Sequence, residues 1–246
     1  MITLFGHGYI GRAIAAELQR QEIPFNWRHH SDLVANDFVI NAAGYVGVPN
    51  VDACEDHRAE TVSGNIIWSY AVARLGKPTI HISSGCMYRG DNGGNGFSET
   101  DVPNFTGSWY SVVKQAEEEI LRAFPQYVFR IRMPFGREWH PRNLLTKLQR
   151  YPRLVDSTNS LTHVNDLAKA VVFFYVHRPP VGVYNVCNPG AATTREIASM
   201  MRLDKDWFGP GECIGRAERS FCVLDVRKLM AVSPLPDVHE ALRGCV

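Results

Sequence analysis

The chain has 246 residues, 45% of them hydrophobic and 21% charged, an ordinary composition for a globular enzyme with room for one large domain or one domain and a small appendage. A formal net charge of +1 gives no electrostatic case for nucleic acid or an acidic membrane surface, and no apolar run approaches the ~20 residues of a membrane span. The six cysteines, at positions 54, 86, 187, 213, 222 and 245, form no C-x-x-C pair and no zinc-finger spacing with histidine, so free, mostly buried thiols are expected.

The opening "MITLFGHG" reads as a strand followed by a turn, with no basic leader, and a cytoplasmic location is expected. The first strand, 2–5, runs into "GHGYIG", which sets Gly6, Gly8 and Gly11 in G-x-G-x-x-G spacing. A helical pattern follows over 9–21, with Ile10, Ala13, Ile14 and Leu18 on one face. Strand, turn and helix in that order form the dinucleotide fingerprint. Gly6 allows the tight turn, Gly8 lets a pyrophosphate approach the backbone, and Gly11 lets helix and strand pack closely. Tyr9 and Ile10 complete the cradle at the helix N-terminus, where an anion is favoured.

The second strand, 25–27, ends in "NWRHH", with no acid before Asp32. An acid there would take the ribose 2′-hydroxyl of NAD, whereas Arg28, with His29 or His30, suits a 2′-phosphate; the expectation is NADP(H), with NAD(H) the alternative. The stretch to the third strand, 37–41, is too short for the usual intervening helix. Further strands are expected at 79–83, 127–132 and 182–186. Helices are expected at about 51–75, 108–124, 141–150, 165–177 and 193–201, with Asn165 as an N-cap. Such alternation predicts an α/β, Rossmann-type, doubly wound parallel sheet. The last stretch, from about 203, is irregular.

The candidate chemistry follows the fourth strand. "SSGCMY" (83–88) places Ser84, with Ser83 as a less suitable stand-in, at a strand end, and "YSVVK" places Tyr110 and Lys114 on one helix face. A free tyrosine titrates at about 10, and a lysine ammonium beside it favours the phenolate. Ser84 and Tyr110 together could hold and polarise a ketone for hydride delivery. The Y-x-x-x-K spacing is weak alone and gains weight from the glycine fingerprint and the serine-bearing strand end before it.

This order resembles the extended short-chain dehydrogenase/reductases. "TVSGN" (61–65) puts Asn65 at their sheet-supporting asparagine, "RMPFG" (132–136) puts Pro134 beside the nicotinamide, and "LTHVNDLAKAV" (161–171) matches their His-Val-Asp-Asp-Leu-Ala segment. More closely, "NAAGYVGVPNVDACE", "GFSETDVPNFTGSWYSVVK" and "RIRMPFGREWHPRNLLTKL" resemble the nucleotide-rhamnose synthases, bifunctional 3,5-epimerase/4-reductases acting on UDP- or dTDP-4-keto-6-deoxyglucose. The glycine turn and the segment after the second strand are both shorter than is usual in that family.

The resemblance implies a mainly NADP-binding Rossmann domain at 1–133 and a mainly substrate-binding region at 134–246, with Rossmann elements returning at about 160–190. Ala42, Ala43 and Gly44 would join the cofactor site, with Tyr110 and Lys114. Ser84, Gly85, Cys86, Thr106, Trp109, Arg142 and Asn143 would face the nucleotide sugar. Epimerisation would use Cys86 and Lys147, read as base and acid respectively; a buried, inert Cys86 and a solvated Lys147 are the competing readings. A reductase without epimerase activity, or a non-catalytic NADP-binding subunit, are the alternatives. A homodimer is expected by analogy, with no nucleic-acid or membrane partner.

Overall fold

The computed structural model describes residues 1–209, 212 and 215–246; Cys213, expected to pack as a free thiol, lies outside them. In chain order the first elements are β1 (Ile2–Phe5), α1 (Tyr9–Arg20), β2 (Phe25–Arg28), β3 (Phe38–Asn41), α2 (Ala53–Asp56), α3 (Arg58–Val62), a π-helical turn (Ser63–Ile67), α4 (Trp68–Ala73), β4 (Thr79–Ser84), α5 (Trp109–Leu121) and β5 (Tyr127–Ile131). Then come β6 (Pro134–Phe135), α6 (Leu144–Arg150), β7 (Arg153–Leu154), β8 (Thr158–Asn159), β9 (Thr162–His163), α7 (Val164–His177) and β10 (Gly182–Asn185). The C-terminal part adds β11 (Ala192–Thr193), α8 (Thr194–Met200), β12 (Asp206–Trp207), α9 (Arg227–Met230) and α10 (Val238–Arg243).

Six parallel strands form the central sheet in the order β10-β5-β4-β3-β1-β2. Residues 29–37 cross from β2 to β3 without a helix, as their length requires. The order reverses between β1 and β3, and in such sheets the crevice at the carboxyl ends beside the reversal is where ligands bind. Strand alternation covers both faces. Ile2 and Leu4 pack with Ile14 and Leu18 of α1 and with Leu167, Val171 and Phe174 of α7. Phe5 and Val39 point the other way, onto Trp68 and Val72 of α4. A separate apolar cluster joins Phe135 to Leu144, Leu148, Ile197, Val238 and Leu242 on the C-terminal elements. Among the described residues no helix is long and apolar enough to cross a membrane.

Two local expectations change. The segment 51–75 is not one helix: it breaks at His57, whose φ of −110° and ψ of 56° leave the helical region. It then widens into the π turn, where Asn65 donates to the carbonyls of Tyr45 and Thr61, both at 2.8 Å. Asn165 is not an N-cap. Helix α7 starts one residue earlier, from His163, because Thr162–His163 pair in extended form with Pro134–Phe135 and run straight into the helix; Asn165 is exposed in its first turn.

Candidate active site

Gly6, at the end of β1, has φ of +97°, a conformation that favours glycine. A side chain at Gly11 would strike the Gly6 carbonyl, so helix and turn close on each other there. At Gly8, by contrast, a Cβ would meet nothing within 4 Å. Gly8 is also the N-cap of α1 and supplies no side-chain cap, so the first-turn N–H groups face an open surface without a side-chain acceptor. That arrangement fits a dinucleotide pyrophosphate. Ile10 packs against the main core, and the buried Tyr9 hydroxyl has no hydrogen-bond partner while its ring stacks on His140 at 4.7 Å.

At the end of β2, Arg28 bonds Asp32 at 2.5 Å through one guanidinium nitrogen, and its Nε has no partner. His29 stacks on His7, which stacks on Trp27, and Arg12 donates to the His7 carbonyl. His30 turns away and packs on Trp68. At the end of β3, the Ala42 and Ala43 N–H groups are taken by the Phe5 carbonyl and the Asn41 side chain, and a side chain at Gly44 would crowd Asn65. Pro134 lies in β6, paired with Thr162.

The candidate reaction centre lies where β4 meets α5. Ser108 caps α5 by accepting from the Ser111 N–H at 3.1 Å, which fixes the first turn and places Tyr110 and Lys114 on its buried face. The Ser84 Oγ accepts from the Cys86 N–H at 3.2 Å, so the turn after β4 ties serine and cysteine together. Tyr110 and Cys86 share an apolar cluster with Cys54, covered by Tyr45, Val46 and Val51. Burial raises the Tyr110 phenol well above its usual range, Cys86, Glu117 and Cys54 add to the shift, and the Ser84 hydroxyl opposes it. The shift favours the neutral phenol over the phenolate. Lys114 forms a buried ion pair with Glu117.

Burial likewise pushes the Cys86 thiol up, against hydrogen bonds from Ser84 and Ser111 and the charges of Arg132 and Lys114. Lys147 moves the other way: burial lowers its ammonium, and Arg142 and Arg219 lower it further. Cys86 bonds through its backbone to Ser84 and Ser111, and among the described residues no hydrogen bond joins it to Lys147.

The proposed sugar contacts differ in how free they are. One Arg142 nitrogen bonds the Gly47 carbonyl at 2.6 Å. Asn143 is buried and committed: it caps α6 and donates to the Gly136 and Glu138 carbonyls. Thr106 is exposed. Trp109 is half-buried under the Arg58 guanidinium and donates to the Arg58 carbonyl. Gly85 is required by packing, since a Cβ would lie 2.7 Å from Leu224.

Sequence reasoning passed over two groups. One is the interior chain behind Lys114, in which Glu117, Ser69, Asn41 and His81 are joined side chain to side chain. Glu117 was within reach, because it lies three residues beyond Lys114 on the same helical face. The other is the strap 215–219, where Arg219 grips Asp52 with two bonds at 2.9 and 2.7 Å and Arg216 grips Asp56. Residues so distant in sequence carry no local signal of pairing.

Fold and site together define an extended short-chain dehydrogenase/reductase. No protein-family model matches the chain. It is 35% identical over 225 residues to the bifunctional dTDP-4-dehydrorhamnose 3,5-epimerase/dTDP-4-dehydrorhamnose reductase of Arabidopsis thaliana, covering 82% of this chain and 73% of that one. It also matches trifunctional UDP-glucose 4,6-dehydratase/epimerase/reductases of the same plant, of which it spans about a third; one is 33% identical, with 32% of its length covered. The crystal structure of a UDP-rhamnose synthase from Acanthamoeba polyphaga mimivirus superposes with a TM-score of 0.91 at 26% identity, covering 99% of this chain and 97% of that one. The dTDP-4-dehydrorhamnose reductase of Bacillus anthracis, solved in complex with NADP, shares the fold at a TM-score of 0.83 and 20% identity, covering 99% and 97% of the two chains. The chain belongs to the rhamnose-forming nucleotide-sugar epimerase/reductase family.

Proposed function

We propose that the protein reduces C4 of a UDP- or dTDP-linked 4-keto-6-deoxyhexose with NADPH, after epimerising C3 and C5, to give an L-rhamnose-type nucleotide sugar. The observation that carries this reading is the convergence of Ser84, Tyr110 and Lys114 at the carboxyl end of β4, with Tyr110 held protonated. Gly6, Gly8, Tyr9, Ile10 and Gly11 would hold the pyrophosphate, with Ala42, Ala43, Gly44 and Pro134 along the rest of the dinucleotide. The part-exposed Arg28 side chain at the end of β2, with His29 beside it, supports the 2′-phosphate of NADP. NADPH supplies the hydride. Tyr110 gives its proton to the C4 oxygen, Ser84 donates a hydrogen bond to that oxygen, and Lys114 stabilises the phenolate left behind.

The hydrogens at C3 and C5 lie alpha to the ketone, so loss of a proton gives an enolate that Ser84 and Tyr110 stabilise. In this reading the epimerase roles run in the opposite sense to the sequence expectation, a choice supported by burial, which raises the Cys86 thiol and lowers the Lys147 ammonium. Lys147, with its ammonium disfavoured, is the base, and Cys86, kept as a thiol, returns a proton from the other face. Arg142 would hold the diphosphate. Thr106, Trp109 and Gly85 would face the sugar, and Asn143 would act by holding the loop before α6.

The test incubates the protein with dTDP- and UDP-4-keto-6-deoxyglucose. NADPH consumption with formation of a 6-deoxyhexose supports the reduction, and NADPH binding without turnover of either sugar sinks it. In D2O without NADPH, deuterium should enter C3 and C5; Lys147→Met should abolish that exchange, and Cys86→Ser should abolish the inversion of C3 and C5. Turnover without exchange leaves a reductase alone.

A further inference from the structure

The Lys114 ammonium is not simply a free charge beneath the tyrosine. Lys114 and Glu117 are each 3% exposed, and they pair with one another on the inner face of α5. The other Glu117 oxygen, Oε1, accepts the Ser69 hydroxyl of α4 at 2.6 Å. Ser69 in turn accepts from the Asn41 amide of β3 at 3.4 Å. The same amide lies 3.2 Å from His81 Nδ1 on β4, and His81 Nε2 lies 2.6 Å from the Gln126 amide oxygen. The amide of Asn41 can only donate, so His81 Nδ1 accepts and Nε2 carries the hydrogen. Burial lowers the His81 imidazole to about 4, outweighing its bond to Gln126, so the ring is neutral. The Asn41 amide oxygen is itself satisfied, by Trp68 Nε1 and the Ala43 N–H.

The hydrogens from Ser69 to Gln126 are therefore assigned: Glu117 accepts the Ser69 hydroxyl at Oε1 and is ion-paired with the Lys114 ammonium at Oε2, which has no hydrogen-bond partner. It is an acceptor-only group, which is the state of a carboxylate. A buried carboxylate paired with Lys114 cancels part of the field that the ammonium exerts on its neighbour Tyr110. The other titratable groups facing Tyr110 are the thiols of Cys86, after β4, and Cys54, on α2; neither is a fixed charge. His81, neutral on β4, adds none.

We propose that Glu117 is a positioning residue for the reduction. It holds the Lys114 ammonium through the Ser69–Asn41–His81 chain and screens it from Tyr110, keeping the phenol a proton donor at pH values where an unscreened lysine would ionise it. This deepens the proposed reduction and rests on Tyr110 being its acid. The screening itself, however, can be read without any sugar.

The experiment is a tyrosinate absorbance titration, taken as the difference between each protein and its own Tyr110→Phe counterpart. Glu117→Gln keeps the shape and the bond to Ser69 but removes the charge, and should lower the Tyr110 midpoint by about one pH unit or more. Glu117→Asp keeps the charge but withdraws it from Lys114, and should fall between the two; it also decides the question should the glutamine variant not fold. A midpoint in these variants no lower than that of the wild type, or no tyrosinate before alkaline unfolding in any of them, overturns the proposal. If the midpoint falls and the protein still turns over no 4-keto sugar, the screening stands and the proposed substrate fails. Where turnover is found, the alkaline limb of kcat/KM for Glu117→Gln should move to lower pH by the same amount, a change that loss of fold stability alone would not produce.

Discussion

Lys114 and Glu117 pair beneath the candidate reaction centre with side chains 4% and 3% exposed, whereas Arg216 and Asp56 pair on its rim at 68% and 49%. Both contacts join opposite charges, yet they act in different media. Beneath the centre the effective dielectric is low, so a charge there shifts its neighbours and an unpaired partner is costly. On the rim, water and salt screen the pair, and its worth is small. The interior pairs thus set protonation states, while the rim pairs hold loop 45–57 against the strap 215–219 and over Tyr110 and Cys86. Asp52 lies between these extremes, partly buried and bonded to the Ala217 N–H and to Arg219.

The contrast can be broken from the inside outwards. Tyr110→Phe should cost the largest factor, about 10²–10⁴ in kcat for NADPH oxidation with a 4-keto sugar, with NADPH still bound. An unchanged kcat would remove the tyrosine from the reaction. Next comes Glu118→Gln, beside Glu117 but turned to β5, where Glu118 accepts two bonds from the fully buried Arg130. Stranding that guanidinium should cost about 3–5 kcal/mol in urea unfolding.

Its pH dependence has a definite sign. Burial acts to raise the Glu118 carboxyl, but Arg130 and Arg122 outweigh it and the net shift is downward from 4.5. The wild type therefore has this contribution above pH 4.5 and loses it as pH falls through the lower folded-state value; the glutamine variant should lack that acid-side loss.

Smaller effects are expected at the rim. Asp52→Asn should cost about 1–2 kcal/mol and speed the reaction of the Cys86 and Cys54 thiols with a disulfide reagent, as loop 45–57 loosens. Asp56→Asn should change stability by no more than about 1 kcal/mol, less still in high salt, and leave thiol reactivity alone. Equal effects of the two rim substitutions would dissolve the distinction between a gripping and a screened pair.

What was legible in the sequence was whatever repeats locally. The turn at Gly6, Gly8 and Gly11 is a property of adjacent residues, and Tyr110 and Lys114 share a face because a helix turns every 3.6 residues. Strand and helix periods announced the parallel sheet, and the brevity of 29–37 announced its missing helix. Local rules failed where a neighbour in space competed: the extended pairing of Thr162–His163 displaced Asn165 as a cap, and the reach of Asn65 to Tyr45 widened a helix that its own pattern would have kept regular.

By itself the sequence determined the glycine turn, the strand and helix that carry Ser84, Tyr110 and Lys114, and the order in which these elements follow one another. Only the tertiary structure decided the state in which those residues are held. Burial raised the thiol of Cys86 and lowered the ammonium of Lys147, which supports the acid and base roles proposed for them over those expected from sequence. Glu117, Ser69, Asn41 and His81 come from four different elements and acquire a common function only on packing. Desolvation and long-range pairing depend on what the whole chain brings alongside a group, and neither is written in the residues next to it.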